Sequence, residues 1–291
     1  MGDSANLVIY NQTKMLSHNL NLKIFIQEST TFLLVGIISI FLAGRFYGLK
    51  AVTEAPTQMI EWWQFLLAFG IGTAIVLGLI RISHGGWFLR IFFLFALFAG
   101  VMTTFGSFTS QTWALILSII LIFSYVLWPY VWLHDLVLIL TLPSIAALIG
   151  VSLNPWAVVV LLMVMSVYDY VAVYKTKHMV KMAKAMITGR AIFAMIFPEH
   201  WHGFKFPVSE AHPGEGFMML GAGDFVFPLI MASSTFALNF FAPWLVLSFS
   251  LLGLLIMHLI FFSQKIRKPM PALPPLAIFS IIGFIIAVLV K

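Results

Sequence analysis

The chain has 291 residues, of which 62% are hydrophobic and only 9% are charged, and its mean hydropathy is +1.04. Water-soluble domains carry about a quarter charged residues, so this composition predicts an integral membrane protein. The absence of cysteine excludes disulfides, thiolate metal sites and a cysteine nucleophile. The net charge of +6 comes from basic residues clustered in particular loops, which indicates membrane topology and argues against nucleic-acid binding.

Nine apolar segments are candidates for helices that cross the bilayer, which requires about 20 mostly apolar residues. They cover residues 24–44, 62–80, 88–108, 113–131, 134–151, 155–174, 218–240, 243–262 and 272–290. The polar residues ahead of the first segment predict that there is no cleavable signal peptide. The sequence therefore predicts an all-α, polytopic membrane protein with about nine transmembrane helices.

The basic residues predict how these segments are oriented. If the N-terminus is cytoplasmic, thirteen of the 16 lysines and arginines fall in inside loops, and only Arg45, Lys50 and Lys291 fall outside. This is a strong positive-inside bias. The sequence therefore predicts a multi-pass protein of the cell membrane, with a cytoplasmic N-terminus, an external C-terminus and the lipid bilayer as a partner.

The predicted topology divides the chain into three parts. Residues 1–174 form an N-terminal membrane part with segments one to six, residues 175–216 form a cytoplasmic loop, and residues 217–291 form a C-terminal membrane part with segments seven to nine. Within the loop, lysines at 175, 177, 181 and 184 predict a basic amphipathic extension lying on the anionic inner leaflet. The apolar stretch 191–197 is predicted to lie against the membrane or to cover the functional site.

The same loop contains acidic and histidine side chains that invite comparison with metal ligands: Glu199, His200, His202, Glu210 and His212. Their spacing matches no specific metal motif. We therefore predict no metal site and no other cofactor.

Two aspartates, Asp169 and Asp224, lie inside the sixth and seventh segments. An ionised carboxylate at the centre of a membrane helix costs roughly 2.5–3.5 kcal/mol, so such residues usually have a function. At 1.5 Å per residue, Asp169 is about 9 Å from Lys175 and Asp224 is roughly 13 Å from Glu215. Both carboxylates are thus predicted in the cytoplasmic third of the membrane, at the matching depth that a facing pair requires.

A facing pair of carboxylates predicts a particular chemistry. Two carboxylates in one site cannot both ionise at low cost, so one keeps a proton while the other is a base. The base activates a water, and the acid protonates the carbonyl oxygen or the leaving amine of a peptide.

Three short motifs accompany the aspartates. Gly221 and Gly223 are predicted to let segment seven approach segment six closely. Tyr168 is predicted to be a packing and hydrogen-bonding neighbour of Asp169. Pro271-Ala272-Leu273 precedes further prolines at the cytoplasmic start of segment nine, where it is predicted to offer free backbone groups to a peptide.

Other polar residues within the apolar segments have simpler interpretations. Asp135, beside His134 at the start of segment five, is predicted at the membrane interface. Glu28 is predicted either to reach the interface or to face the helix bundle. For His258 in segment eight, we predict a hydrogen bond to a neighbouring helix.

In their order and depth, Tyr168-Asp169, Gly221-Ala222-Gly223-Asp224 and Pro271-Ala272-Leu273 resemble the motifs of the presenilin and signal peptide peptidase family. These are the GxGD intramembrane aspartyl proteases. The resemblance implies that Asp169 and Asp224 are catalytic, that Tyr168, Gly221, Gly223 and the proline motif support the site and the substrate, and that transmembrane helices of other proteins are cleaved without a cofactor. In the family, the loop between segments six and seven carries an autoproteolytic cut or strands that pair with substrate.

The nine segments and the long loop after the sixth also match this family. The orientation is similar to that of presenilin and opposite to that of signal peptide peptidases. The small size and the lack of large loops resemble a microbial homologue, above all an archaeal one.

Three other interpretations stay open from the sequence. The aspartates form a structural polar pair, or they belong to a proton-coupled transporter or channel, or the chain is a noncatalytic chaperone for membrane helices. A transporter is expected to show two related halves, and no convincing internal repeat is visible. The sequence is compatible with a homo-oligomer and does not identify the substrates or their cut sites.

Overall fold

The computed structural model describes residues 2–52, 63–64, 67–68, 70–72, 87–175, 191–212, 214–264 and 270–290. The predicted second segment, 62–80, lies mostly outside these residues. The predicted basic amphipathic extension lies outside them apart from Lys175.

Eight α-helices and two β-strands form the framework of the described residues. The helices are α1 (Gly2–Val52), α2 (Trp87–Phe108), α3 (Gln111–Leu127), α4 (Val131–Ser152), α5 (Pro155–Tyr174), α6 (Ala222–Ser234), α7 (Ala242–Ser263) and α8 (Leu273–Leu289). The strands are β1 (Ala194–Pro198) and β2 (Phe217–Gly221), both between α5 and α6. Three short 3₁₀ turns lie at Trp201–Lys205, Val208–Glu210 and Thr235–Ala237.

Five helices in the described residues are long and apolar enough to cross a membrane: Leu22–Leu49, Phe88–Phe108, Val131–Ser152, Pro155–Tyr174 and Ala242–Ser263. Three shorter apolar helices, Gln111–Leu127, Ala222–Ala237 and Leu273–Leu289, accompany them. A helix of 17 residues is about 26 Å long, somewhat less than the hydrocarbon core of a bilayer. The prediction of a helical, polytopic membrane protein is confirmed, and each predicted segment except the second coincides with one of these helices.

Local sequence explains where the site helix α5 begins. Asn154 is its N-cap, and its side-chain oxygen accepts a hydrogen bond from the backbone N–H of Trp156 at 2.9 Å. Pro155 occupies the first helical position, where its fixed φ suits the helix and a missing N–H costs nothing. This tight start begins α5 three residues after α4 ends, and α5 then packs against α6 and α8.

Helix α4 lies at the centre of the bundle, where it packs against α1, α2 and α6. Its crossing with α6 is close at Gly150, where an added Cβ would come within 2.5 Å of the Ser233 Cβ and 2.8 Å of the Ile230 carbonyl oxygen. Small residues permit such approaches between membrane helices, and hydroxyl pairs add polar contacts. Ser39 of α1 bonds Ser233 of α6 at 3.1 Å.

The two strands form an antiparallel sheet that the sequence did not predict. Its register runs from Ala194 opposite Gly221 to Pro198 opposite Phe217. Segment seven was predicted as a helix from residue 218, so its first four residues are a correction. An apolar run that contains both a strand and a helix carries no periodic signal that separates them, which explains the error.

The sheet joins the loop to the helix bundle. Side chains of Met195, Phe197 and Leu220 belong to the main core of the bundle. On the opposite face, Ile196 and Phe217 pack into a smaller apolar cluster that other loop residues form together with Val131 of α4. The apolar stretch 191–197 therefore leads into and includes most of strand β1, which lies between bundle and loop and brings the loop close to the start of α6.

Candidate active site

Asp169 reaches the site from the last two turns of α5, and its side chain is buried, with 7% exposure. Its Oδ2 accepts a hydrogen bond from the backbone N–H of Leu273 at 3.2 Å. The N–H of Ala272 also donates to this carboxylate. The acid of α5 is therefore held by backbone groups at the start of α8.

The proline motif supplies these donors because of its position in α8. Ala272 is the N-cap and Leu273 the first helical residue, so their N–H groups have no partner within the helix. The next two residues, Pro274 and Pro275, carry no N–H at all. The donors of this helix start are thus concentrated on Asp169, whereas the sequence predicted that they would be free for a peptide.

Asp224 is held by the start of its own helix. Gly221 is the N-cap of α6 and Asp224 is its third residue. The Gly221 backbone N–H donates to the Asp224 carboxylate, as an acidic residue at this position does in a capping box. The side chain is buried, with 8% exposure. The same backbone residue therefore ends β2, begins α6 and orients this acid.

The structure brings the two aspartates together. Asp169 lies near enough to act electrostatically on Asp224, and α5, α6 and α8 all pack against one another. Each carboxylate has a fixed orientation through a helix start, and neither has a basic partner among the described residues. This arrangement can hold one proton between two acids, so it offers a base for a water molecule beside an acid for a carbonyl oxygen.

The two glycines of the motif have different surroundings. A Cβ added at Gly221 would lie 3.1 Å from Oδ2 and 3.8 Å from Cγ of Asp224. At Gly223 it would meet only the Phe227 ring, at 3.4 and 3.6 Å. Within the described residues, no atom of α5 lies within 4 Å of either added Cβ. Gly221 thus makes room for its own aspartate, while the expected role in approaching segment six is not seen at these positions.

Tyr168 is adjacent to Asp169 in sequence but points elsewhere. Its side chain is 55% exposed, while Asp169 is buried. Successive residues of a helix point in directions about 100° apart, which explains the difference. Pro271, Ala272 and Leu273 are all buried, so the structure gathers the proline motif, Gly221 and both aspartates and leaves the Tyr168 ring outside this group.

Sequence reasoning missed the strand that leads into the site. Ala222 N–H donates to the Phe193 carbonyl and Glu199 N–H donates to the Gly216 carbonyl, both at 2.9 Å. Hydrogen-bonded pairs alternate along an antiparallel ladder, so the backbone of Met219 points away from β1. The β-branched and aromatic residues of the stretch 191–197, ended by Pro198, are the signal that identifies such a strand.

The remaining buried acids belong to other contacts. Glu28 of α1 is fully buried and its Oε2 lies 2.8 Å from Nδ1 of His258 on α7. The predicted bond of His258 to a neighbouring helix is confirmed, and of the two expectations for Glu28 the bundle-facing one is correct. Asp135 is buried beneath β1, and its predicted place at the membrane interface stays a prediction.

The acidic and histidine residues of the loop do not converge on one point. Among the described residues, no group of three or more histidine, aspartate or glutamate side chains is arranged to hold a metal ion.

Comparison with known proteins gives a family and a fold. The family model described as "Signal-peptide peptidase, presenilin aspartyl protease" matches residues 29–291. Two solved structures of a presenilin family intramembrane aspartate protease, in space groups C222 and P2, superpose with TM-scores of 0.61 and 0.62. Each shares 24% identity and covers 90% of this chain and 96% of the solved chain, which shows a common fold. A search of curated proteins gave no match.

Proposed function

The chain belongs to the family of signal-peptide peptidases and presenilin aspartyl proteases, and we propose that Asp169 and Asp224 are its catalytic dyad. The protein is an intramembrane aspartyl protease, an aspartic endopeptidase with several membrane-crossing helices. Its proposed reaction is the hydrolysis of peptide bonds in the transmembrane segments of other proteins.

One observation carries the assignment of the dyad. The two buried carboxylates interact with each other, and backbone N–H groups at two helix starts hold them in place. Asp169 is bonded to Leu273, and Asp224 is bonded to Gly221. Carboxylates that share a site without a basic partner are suited to acid–base chemistry and poorly suited to stabilising a fold.

The proposed steps balance with water alone. The ionised member of the pair takes a proton from water as the oxygen attacks the scissile carbonyl carbon. The protonated member donates to the carbonyl oxygen, which forms a tetrahedral diol. Collapse of the diol breaks the C–N bond: the proton taken from water passes to the leaving amine, and one diol hydroxyl returns its proton to the other carboxylate as the new carbonyl forms. The pair then holds one proton again.

A membrane helix must unwind before this attack, because its backbone groups are hydrogen-bonded within the helix. The outward backbone N–H and C=O of Met219 have no partner in the described part of the chain. An extended substrate that adds to this edge of β2 would satisfy its released backbone groups there. The edge ends at Gly221, the residue that orients Asp224, so an added strand would lead towards the dyad.

Family membership does not favour a proton-coupled transporter or channel. Such proteins also place carboxylates within the membrane, but the match to aspartyl proteases spans residues 29–291. The aspartates lie within that range.

The proposal also covers the cellular location of the protein and the division of its chain. We propose a cell-membrane protein with a cytoplasmic N-terminus and an external C-terminus, divided at residues 174/175 and 216/217 as the charge distribution suggests. A homo-oligomer is a further hypothesis about partners. Because the chain contains no cysteine, single cysteines at Arg45 and Lys205 can report by membrane-impermeant labelling which side of a vesicle each residue faces.

The dyad is tested by cleavage in reconstituted vesicles. Asp169→Asn and Asp224→Asn should each reduce turnover of a single-span substrate by roughly 10²–10⁴, because an amide is neither a base nor an acid here. A peptide mimic bearing a hydroxyl at the scissile position should compete with substrate in the unmodified protein.

Glu28→Gln is the matched control, because it makes the same chemical change in a buried acid outside the site. It should retain turnover within about threefold, since Gln Oε1 can still accept from His258. Wild-type turnover in either aspartate variant would exclude the dyad, as would inhibition by a chelator with none by the mimic.

A further inference from the structure

The edge of β1 that faces away from β2 is covered by side chains from two helices. The Nε2 of His134 lies 3.0 Å from the Ala194 carbonyl oxygen. Asp135 Oδ1 accepts a hydrogen bond from the Ile196 N–H at 3.0 Å. Two residues further along β1, Gln27 Nε2 donates to the Pro198 carbonyl at 3.3 Å.

These three contacts follow the period of a strand. Ala194, Ile196 and Pro198 are alternate residues, so their backbone groups point to the same edge. The contacts come from consecutive residues at the start of α4 and from α1. Side chains thus bond one backbone group of each residue at which a third strand would otherwise pair.

The contacting side chains of α4 are themselves fixed. His134 is 1% exposed and Asp135 is 7% exposed. The Nδ1 of His134 lies 3.0 Å from the Tyr125 hydroxyl of α3, which settles the position of the imidazole. A histidine and an aspartate buried at adjacent positions are costly unless they are fully hydrogen-bonded. Two of the three hydrogen-bond partners named above for these two residues are backbone groups of β1.

The two edges of the sheet therefore differ. Each of the three outward residues of β1 has one backbone group bonded to a side chain, while the outward backbone groups of Met219 on β2 are without a partner among the described residues. An unpaired strand edge is a template for adding another strand.

We propose that His134, Asp135 and Gln27 are positioning residues that close the β1 edge and fix the sheet on the bundle, so that a substrate strand adds only at β2. This inference rests on the proposed function, since it concerns how substrate reaches the same dyad. The three side chains act through the sheet and do not touch the reacting groups. Their expected contribution is to substrate binding, with the dyad held independently by α6 and α8.

Loss of these contacts should change one kinetic constant, the KM for substrate. Loss of one contact frees part of the β1 edge and loosens the sheet, while the bonds from Leu273 to Asp169 and from Gly221 to Asp224 remain. An interaction that contributes equally to ground state and transition state changes KM and leaves kcat in place. A residue needed only for folding would lower the amount of active protein and leave KM unchanged.

The test compares variants of Asp135 in vesicles. Asp135→Leu removes the acceptor of the Ile196 N–H, and we expect KM for a single-span substrate to rise about tenfold with kcat within about twofold. Asp135→Asn keeps an acceptor oxygen and should restore KM to within about twofold of the unmodified protein. Ser144→Ala is the control: it removes a buried contact from the same helix to the Gly100 carbonyl of α2, far along α4 from the strand, and KM should not move.

Amide hydrogen exchange gives a readout that needs no cleavage. In an Asp224→Asn background, Asp135→Leu should speed exchange at Ile196 by at least about tenfold, and Ser144→Ala should not. If Asp135→Leu does not fold, Gln27→Leu decides, because its side chain is only half-buried and its loss should still raise KM by roughly threefold.

The possible results distinguish failure of the proposed function from failure of the proposed positioning role. An unmodified protein that cleaves nothing would overturn the proposed function, while exchange at Ile196 would still report on the contacts. Normal cleavage with an unchanged KM in both Asp135→Leu and Gln27→Leu would overturn the positioning role. An equal KM rise in Asp135→Leu and Asp135→Asn would also overturn it, because the hydrogen bond would then be irrelevant.

Discussion

Two buried acid sites in the same bundle differ in the partner that each acid meets. Glu28 of α1 faces His258 of α7, with Oε2 and Nδ1 2.8 Å apart. The rings of Phe25 and Phe262 flank that imidazole, with centroids 4.9 and 4.3 Å away. Asp169, in contrast, faces a second acid, Asp224, and backbone amides.

We propose that this difference separates a structural contact from a reactive one. An acid opposite an imidazole has a partner that can share its proton or balance its charge, so the pair is satisfied in one arrangement. Two acids must divide one proton between them and remain able to give and take it. Burial alone therefore does not identify a functional carboxylate in this protein; the chemistry of the opposing group does.

Activity should fall most when the second acid site is made to resemble the first. Asp224→His places an imidazole opposite Asp169, and we expect turnover to fall by roughly 10²–10⁴. The imidazole would bind the remaining carboxylate, and it cannot accept from the Gly221 N–H in the same geometry. The measurement is single-turnover cleavage in vesicles, normalised to folded protein.

Substrate binding provides the check on Asp224→His. The variant should still bind the single-span substrate, since β2 is unaltered. Turnover near the unmodified level would show that a pair of acids is not required.

The next largest loss of activity is expected at Gly221, whose missing side chain leaves room for the Asp224 carboxylate. Gly221→Ala places a Cβ 3.1 Å from Asp224 Oδ2, so the carboxylate must shift, and small displacements of reacting groups cost up to about a hundredfold in rate. Gly223→Ala brings its Cβ only into ordinary contact with Phe227, at 3.4 Å. We expect a ten- to hundredfold loss of kcat for Gly221→Ala and less than about threefold for Gly223→Ala.

Equal losses of kcat in the two glycine variants would contradict this account. Thermal unfolding in detergent separates the kinetic effect from a loss of folded protein.

The pH dependence of cleavage should also distinguish the two acid sites, with smaller changes in rate. Activity should be bell-shaped, since protonation removes the base on the acid limb and deprotonation removes the acid on the alkaline limb. Each limb should change kcat/KM by about tenfold per pH unit and belongs to the pair as a whole. Glu28→Gln should leave both limbs unmoved. A single-limbed profile would show that only one titrating group is needed.

Catalysis should change least when the contact between Glu28 and His258 is removed. Glu28→Leu leaves His258 buried without its partner, which should lower the free energy of unfolding by about 1–3 kcal/mol. Activity per folded molecule should stay within about twofold, because neither residue contacts the dyad. Chemical unfolding in detergent measures the first quantity and vesicle cleavage the second.

The double variant Glu28→Leu with His258→Phe tests whether the pair is coupled. Replacing both partners by apolar groups should recover much of the lost stability. A double variant as unstable as the sum of the two single ones would show that the contact is not a coupled pair.

Much of the architecture was predictable because lipid imposes strict rules on sequence. A helix satisfies its own backbone groups, so long apolar segments in a membrane protein must be helical, and α2, α4, α5 and α7 begin and end within a few residues of the predicted segments. The strand β2 was predicted as helix because it shares one apolar run with α6. Its conformation depends on pairing with β1, more than twenty residues earlier in the chain.

For the proposed site, chemistry and predicted depth pointed to the residues, and packing decided their contacts. The sequence alone predicted Asp169 and Asp224 in apolar segments at similar depth, because hydropathy and helical rise are local properties. Only the tertiary structure decided that amides at the start of α8 bind Asp169, that Gly221 orients Asp224, and that side chains of α1 and α4 close the β1 edge. Each of these contacts joins groups on different elements or depends on where one element ends, and no local pattern encodes which neighbour a buried hydrogen-bonding group will find.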